Sequence, residues 1–189
     1  MREPAPRRGR SGGQARAVEP AAVERARAAV ATVTDPEMPM VTIEDLGVLR
    51  GVEQAADGHV VVTITPTYSG CPAMEVIRSD VAARLQAAGL PDAEVRTVLA
   101  PAWTTDWLSD AARRKLAESG IAPPPPAVGS AATGGADGGP APVAVELGVR
   151  CPRCGVRDTR LVSRFGPTAC TAIRACRACG EPFEHFKAI

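Results

Sequence analysis

Aromatic residues are scarce: one Tyr, two Trp and three Phe make up 3% of the 189 residues. A core built from this chain must be aliphatic, drawn from Val, Leu, Ile and Ala. The 45% hydrophobic share is that of a globular protein. Histidine is as rare, with only His59 and His185. Neither stands where a base would serve a nucleophile, so the chain is not expected to catalyse a reaction by itself. No stretch approaches the ~20 apolar residues of a membrane-crossing helix. The Arg-rich start has no apolar run behind it, so it does not read as a secretory signal. Six cysteines in that setting point to a reducing compartment, the cytoplasm, and to metal or redox chemistry rather than disulfides.

Charge is nearly balanced at +1, but it is unevenly placed. Residues 1–18 hold five Arg and one Glu, while residues 150–189 have a net charge of +5 and the stretch between them −8. The acidic middle argues against a nucleic-acid-binding main domain; for the basic C-terminal piece that reading stays open. Four segments follow from composition. Residues 1–18 read as a flexible basic tail, 19–120 as an α/β domain, 121–146 as a Pro- and Gly-rich linker, and 147–189 as a small metal-bound piece.

Within the α/β domain, Pro20 opens a first helix whose Val23, Ala26, Val30 and Val33 form one stripe. Leu46, Val48 and Val52 alternate over a strand at 46–53, and Val60, Val62 and Ile64 over a second, with Asp57–Gly58 turning between them. His59 then reads as a solvated residue at a strand start. The second strand runs into Thr65–Pro66–Thr67–Tyr68–Ser69–Gly70–Cys71–Pro72, where Pro66 stops pairing and Pro72 suits the first turn of a helix. That helix carries Met74, Ile77, Val81 and Leu85 on one face and stops at Gly89, before Pro91. A third strand covers 94–99. The order is helix, strand, strand, helix, strand: a small α/β layer fold with parallel pairing across the second helix.

Cys71 lies at the C-terminal end of a strand and the N-terminal end of a helix. The helix dipole there favours a thiolate, so a lowered thiol pKa is expected, fit for attack or for a soft metal. The plain alternative is a small apolar residue filling a turn. Asp35–Pro36–Glu37, with Glu44 and Asp45 beyond, offers carboxylates, although Asp before Pro is also a common turn starter. Trp103 and Trp107 sit four residues apart, ahead of a short helix that Thr104 or Thr105 would cap; they pack over the sheet end or meet a partner.

The C-terminal piece holds the most specific local pattern. Cys151–Pro152–Arg153–Cys154–Gly155 and Cys176–Arg177–Ala178–Cys179–Gly180 are two C-x-x-C knuckles separated by twenty-one residues. Two such knuckles make a four-thiolate tetrahedral site. About 40 residues cannot build a sufficient apolar core, so the metal must supply folding energy. This is a zinc ribbon, with strands at 159–165, 171–175 and 183–186; an iron–sulfur centre is the rival, since the same thiolates hold either. Cys170, outside both knuckles, reads as a small buried residue, and His185 as a surface residue of the ribbon.

These segments carry a family resemblance. Thr34–Asp35–Pro36–Glu37–Met38–Pro39, Glu44–Asp45–Leu46–Gly47–Val48 and the Gly70–Cys71–Pro72 loop resemble the SufT-like iron–sulfur assembly family. Residues 101–107, 120–124, 165–170 and 181–187, together with the ribbon, resemble the PaaD (PaaJ) group within it, which serves phenylacetyl-CoA epoxidase. The resemblance covers residues 19 to 189 apart from the glycine-rich linker. It implies a bacterial, cytoplasmic accessory protein of aerobic phenylacetate degradation, serving a di-iron oxygenase subunit and a flavin/[2Fe–2S] reductase subunit of a monooxygenase system. The implied role is maturation by delivery of iron or an iron–sulfur cluster. The family's reactive cysteine maps onto Cys71 and its motif acid onto Asp35; the ribbon ligands map onto Cys151, Cys154, Cys176 and Cys179, with structural Zn2+. A structural or electron-transfer subunit that stays in the oxygenase complex is the alternative. Whether Cys71 acts within one chain or bridges a homodimer is open at this level. The resemblance implies neither membrane nor nucleic acid as a partner.

Overall fold

The computed structural model describes residues 20–68, 70–125 and 148–188. The expected basic tail and residues 126–146 of the expected linker lie outside the described residues. Helix α1 (Pro20–Val30) buries Ala22, Ala26 and Val30 at four-residue spacing, one face of a 3.6-residue period. Val23, expected on that stripe, is half-buried beside it. The chain then folds tightly over itself, closed by a Thr34–Thr42 bridge, and buries Val33, Met38, Val41, Ile43, Leu46 and Val48.

Strand β1 (Leu49–Gln54) starts three residues later than the alternation suggests. Leu46 and Val48 are buried in the approach to it, and a bulge between Leu49 and Gly51 resets the register. It pairs antiparallel with β2 (Val60–Ile64), which pairs parallel with β3 (Glu94–Thr97), giving the order β1-β2-β3. Between β2 and β3 runs α2 (Ala73–Ala87), whose Ala73, Ile77, Val81 and Leu85 are buried. Full burial of each of the three larger side chains stabilises by about 1.5–3 kcal/mol, which holds the helix to the sheet. Its C-terminus is a Schellman motif: Gly89, at φ +76°, bonds back to Gln86 and Leu90 bonds back to Leu85. Helices α1 and α2 pack on each other, α1 against β1 and β2, and α2 against β3, so the fold is the expected α/β layer.

After β3 a 3-10 turn (Thr105–Trp107) is capped by the Thr104 hydroxyl. Helix α3 (Asp110–Glu118) is capped instead by Ser109, which accepts from the Ala112 N–H, so the expected threonine cap belongs to the turn and not to the helix. Gly120, at φ +81°, then reverses the chain into β4 (Ile121–Ala122). By composition these two residues open the linker. In the structure they pair parallel with β7 (Pro182–Phe186), the last strand of the ribbon.

The ribbon sheet has the order β4-β7-β6-β5, with β5 at Thr159–Ser163 and β6 at Thr171–Cys176. It is not a bead on a tether. Phe186 and Cys170 are buried in the same apolar cluster as the helices of the α/β layer. Phe186 packs on Trp103 with ring centroids 6.1 Å apart and planes tilted by 50°. The Trp103 indole N–H donates to the Leu46 carbonyl at 2.9 Å. Trp103 is thus a buried packing residue, while Trp107 is half-buried under the Arg50 guanidinium, 3.4 Å from its ring centroid. Among the described residues no helix is long and apolar enough to cross a membrane.

Candidate metal sites

The two knuckles fold alike. In each, the glycine after the second cysteine takes φ +77°, and its N–H bonds to the carbonyl of the first cysteine: Gly155 to Cys151 at 2.9 Å and Gly180 to Cys176 at 3.1 Å. The first cysteine's own N–H closes the turn, Cys151 onto Val156 and Cys176 onto Glu181, both at 2.9 Å. Only a residue free of Cβ strain fits that turn, which brings backbone N–H groups toward sulfur. The Sγ atoms of Cys151, Cys154, Cys176 and Cys179 all lie within 4.8 Å of one another. Cys151 to Cys179 is 3.9 Å and Cys154 to Cys176 is 3.6 Å. A tetrahedral ion with metal–sulfur bonds of about 2.3 Å needs sulfurs about 3.8 Å apart, so the set fits one soft cation.

Protonation shows the same crowding. The Val156 N–H favours the Cys154 thiolate, but hydrogen bonding with the Cys179 sulfur, burial, and hydrogen bonding with the sulfurs of Cys176 and Cys151 outweigh it and push that thiol up to about 12. The N–H groups of Cys179 and Ala178 hold Cys176 down at about 7. Four sulfurs this close share protons until a cation replaces them. His185 is not on the ribbon surface, as expected from sequence. It is buried, its Nε2 has no hydrogen-bond partner, and burial holds it neutral, with its pKa down at about 4.

The second site lies where the β2–α2 loop meets the loop after α1. Pro72 is the N-cap of α2, and Cys71 precedes it, half-buried. The Cys71 sulfur takes hydrogen bonds from the Ala73 N–H and the Thr67 hydroxyl, and both favour a thiolate. The net effect is opposite to the expectation from the helix dipole. Burial raises the thiol pKa, and Glu37 and Asp35 raise it further by charge. Those carboxylates approach from 34 and more residues away in the chain, so local sequence holds no sign of them.

Asp35 does start a turn: its Oδ1 accepts from the Glu37 and Met38 N–H groups at 2.8 and 2.9 Å. It is also only 6% exposed, and burial raises its pKa against those two bonds. Asp45 has a different task. Although burial pushes its carboxyl up, Lys115, the Thr42 N–H and the Ser109 hydroxyl hold it below its ordinary value, tying its loop to α3. His59 sits at a strand start as expected, between Asp57 and Glu94, with Asp57 the larger cause of its raised pKa.

Over 172 residues, 91% of this chain and 96% of the other, the chain is 40% identical to a protein of Escherichia coli (strain K12) named as a putative subunit of 1,2-phenylacetyl-CoA epoxidase. The chain belongs to this PaaD family of phenylacetyl-CoA epoxidase subunits. Residues 23–100 match the family described as iron-sulfur cluster assembly protein, and residues 137–187 the PaaD zinc beta ribbon domain. A protein of Porphyromonas gingivalis named Fe-S protein maturation auxiliary factor is 37% identical over 86 residues, 45% of this chain and 81% of the other. The crystal structure of a domain of unknown function from Bacillus anthracis is 32% identical, covering 51% of this chain and 92% of that one, at a TM-score of 0.46.

One residue of this PaaD family member is undervalued by its sequence context. Cys170, six positions before a knuckle cysteine, is buried as expected, but in the α/β core that Cys71 also packs against, not in the ribbon's own cluster. Its thiol pKa is raised by burial and then by the charges of Glu37 and Asp35, the two carboxylates that act on Cys71. Burial raises the Tyr68 hydroxyl pKa, and the charges of Cys71, Glu37 and Cys170 raise it further. No spacing rule links position 170 to position 71; only the packing of the ribbon onto the α/β layer does.

Proposed function

We propose that this chain is a maturation subunit of the phenylacetyl-CoA epoxidase system, carrying iron or an iron–sulfur cluster on Cys71 and Asp35 to the oxygenase or reductase subunits. The observation that carries this reading is the pair of carboxylates beside a thiol. Burial first, and then the charges of Glu37 and Asp35, disfavour the free Cys71 thiolate, so the thiol is a poor nucleophile near neutral pH. The same negative charges attract a cation, and a bound cation reverses the cost, with the thiol proton leaving as the metal arrives. A site that rests protonated and binds metal by releasing a proton suits transient cargo better than a permanent centre. Family membership and the similarity to proteins named for Fe–S maturation support the same reading.

In this reading Cys151, Cys154, Cys176 and Cys179 hold a structural Zn2+ that folds the ribbon and does not exchange during delivery. A closed four-thiolate set has no open position for substrate.

The test is the zinc, iron and acid-labile sulfide content per chain, before and after anaerobic reconstitution, in the wild type and Cys71→Ala. The expected result is one zinc in both proteins, with iron and sulfide in the wild type alone. Iron and sulfide retained in full by Cys71→Ala would move the cargo elsewhere and end this reading. A second reading, in which the chain stays docked in the oxygenase complex, is favoured by the open edge strand β5. There Leu161 and Val162, with Phe165 just beyond, are 45%, 52% and 77% exposed, and Arg160 and Arg164 are exposed beside them. Co-elution with the oxygenase through gel filtration would support it; delivery predicts separation.

A further inference from the structure

The ribbon gathers most of the large exposed apolar side chains. Among the described residues there are six, and four of them, Val156, Leu161, Val162 and Phe165, fall within one short stretch of chain. That stretch contains β5, the outermost strand of the order β4-β7-β6-β5. On one side β5 pairs with β6; among the described residues no strand pairs with the other side. The outer edge therefore presents backbone N–H and C=O groups that a further strand can take up. At the far side of the sheet, β4 continues from α3, and β7 beside it buries Phe186 in the shared core. A strand added at β5 lengthens the sheet and leaves that core as it is.

The charge on this edge has one sign. Residues 159–165 carry Arg160 and Arg164 and no acid. Both are exposed, and among the described residues neither guanidinium has a hydrogen bond or an ion pair. Arg153 and Arg177, by contrast, are matched by Glu181 and Asp158. Lys187 adds positive charge, its Nζ 5.8 Å from the centroid of the Phe165 ring. A second copy of the chain would double the charge within one strand pair, and like charges across paired strands are destabilising. The edge is thus guarded against its own copy while its apolar side chains stay uncovered. A nucleic acid answers the charge but not Leu161 and Val162, which offer no ring for a base to stack on. An extended segment bearing both acids and apolar side chains answers the free backbone groups, the cations and the aliphatic surface together.

We propose that the β5 edge is a docking strand for an acidic, extended segment of a partner subunit, which pairs with Thr159–Ser163 and covers Leu161 and Val162. At about 3.3 Å per residue the edge is roughly 17 Å long, so about five residues of the partner pair with it. The bulge between Leu161 and Ser163 bends the strand, which suits a single short strand and not the growth of a long flat sheet. Backbone hydrogen bonds supply affinity, and Arg160 and Arg164 select for acids. This rests on the same edge as the docked reading, and it holds equally for a chain that delivers its cargo and leaves.

The experiment uses the full-length, zinc-loaded chain and a fluorescent ten-residue peptide that alternates glutamate and valine. The controls are the same peptide with lysine for glutamate, a peptide of equal negative charge interrupted by prolines so that it cannot pair as a strand, and a single-stranded oligonucleotide. Fluorescence anisotropy reads affinity, and hydrogen exchange reads the amides of residues 159–165. The acidic peptide is expected to bind and to slow exchange at 159–165, with the lysine and proline peptides about tenfold weaker. Arg160→Glu/Arg164→Glu should keep its zinc and its far-UV circular dichroism and reverse the preference between the acidic and lysine peptides. No binding of the acidic peptide, or a preference for the oligonucleotide, overturns the proposal. So does equal binding of the proline peptide, or binding without protection at 159–165, since either leaves only a charge contact. Protection at 159–165 that rises with protein concentration in the absence of peptide makes a second copy the occupant and overturns it too. Should the double variant lose zinc, the exchange data on the wild type with the three peptides decide. None of these results bears on iron uptake at Cys71 or on co-elution with the oxygenase, so the earlier readings stand or fall separately.

Discussion

Replacing Phe186 by Ala should unfold the α/β layer and the ribbon together. Phe186 is the last residue of β7, yet its ring is 0% exposed and lies in the core shared with the helices. Truncating a buried Phe to Ala costs about 3–5 kcal/mol from lost transfer energy and the cavity left behind. The tilted contact with Trp103 adds about 0.5–1.5 kcal/mol to what the ring contributes. Against a total stability of about 5–15 kcal/mol this is a large share. For a chain of this size it corresponds to a fall in Tm of about 10 °C. The assay is urea unfolding of the zinc-loaded protein with two readouts. Tryptophan fluorescence reports the α/β layer, because both Trp103 and Trp107 lie there, and zinc release to a chromogenic chelator reports the ribbon. In the wild type the two transitions should coincide, and in Phe186→Ala both should move to lower urea by the same amount. A change below about 1 kcal/mol, or a zinc-release transition that shifts while fluorescence does not, would refute the shared core and return the ribbon to an independent domain.

Two further outcomes can be checked in the same apparatus. Asp35→Asn keeps an oxygen for the Glu37 and Met38 N–H groups but removes a buried charge. Burial raises the folded-state pKa of Asp35, so the folded state binds that proton more tightly than the unfolded one. The resulting stabilisation is fully present below the ordinary aspartate value and is lost as pH rises through the folded value. Asp35→Asn should therefore be at least as stable as the wild type by urea midpoint at pH 7, yet take up less iron on reconstitution. A variant destabilised at pH 7 would show that the charge supports the fold. Gly47→Ala should cost about 2–4 kcal/mol in urea unfolding, because Gly47 has φ +68° and a Cβ there would lie 2.6 Å from the Trp107 Cβ and 2.7 Å from its carbonyl oxygen. A loss under about 1 kcal/mol would mean that the Trp107 turn gives way.

The knuckles were legible because their geometry is local. C-x-x-C followed by glycine specifies a turn of a few residues, and the structure returns it twice with the same φ and the same hydrogen bonds. The strand–helix–strand from Val60 to Thr97 was legible for the same reason, since period and stop residues act over one or two turns of chain. The charge state of Cys71 was not legible. Its own helix end does donate a hydrogen bond from Ala73, but burial and the carboxylates of Asp35 and Glu37 outweigh that bond, and these come from another loop.

Tertiary structure also decided the fate of Ile121–Ala122, Trp103 and Cys170. Two apolar residues before four prolines look like the start of a linker; they become a strand because the ribbon offers β7 as a partner. Trp103 could face a partner or a core until Phe186 arrives from 83 residues away to cover it. Cys170 is a small buried residue by every local criterion, and only the seating of the ribbon puts it in the core that Cys71 packs against. What short-range geometry dictates, the sequence determines by itself. Burial and electrostatics depend on which distant segments share the space, and for this chain that is set by the ribbon packing into the α/β core.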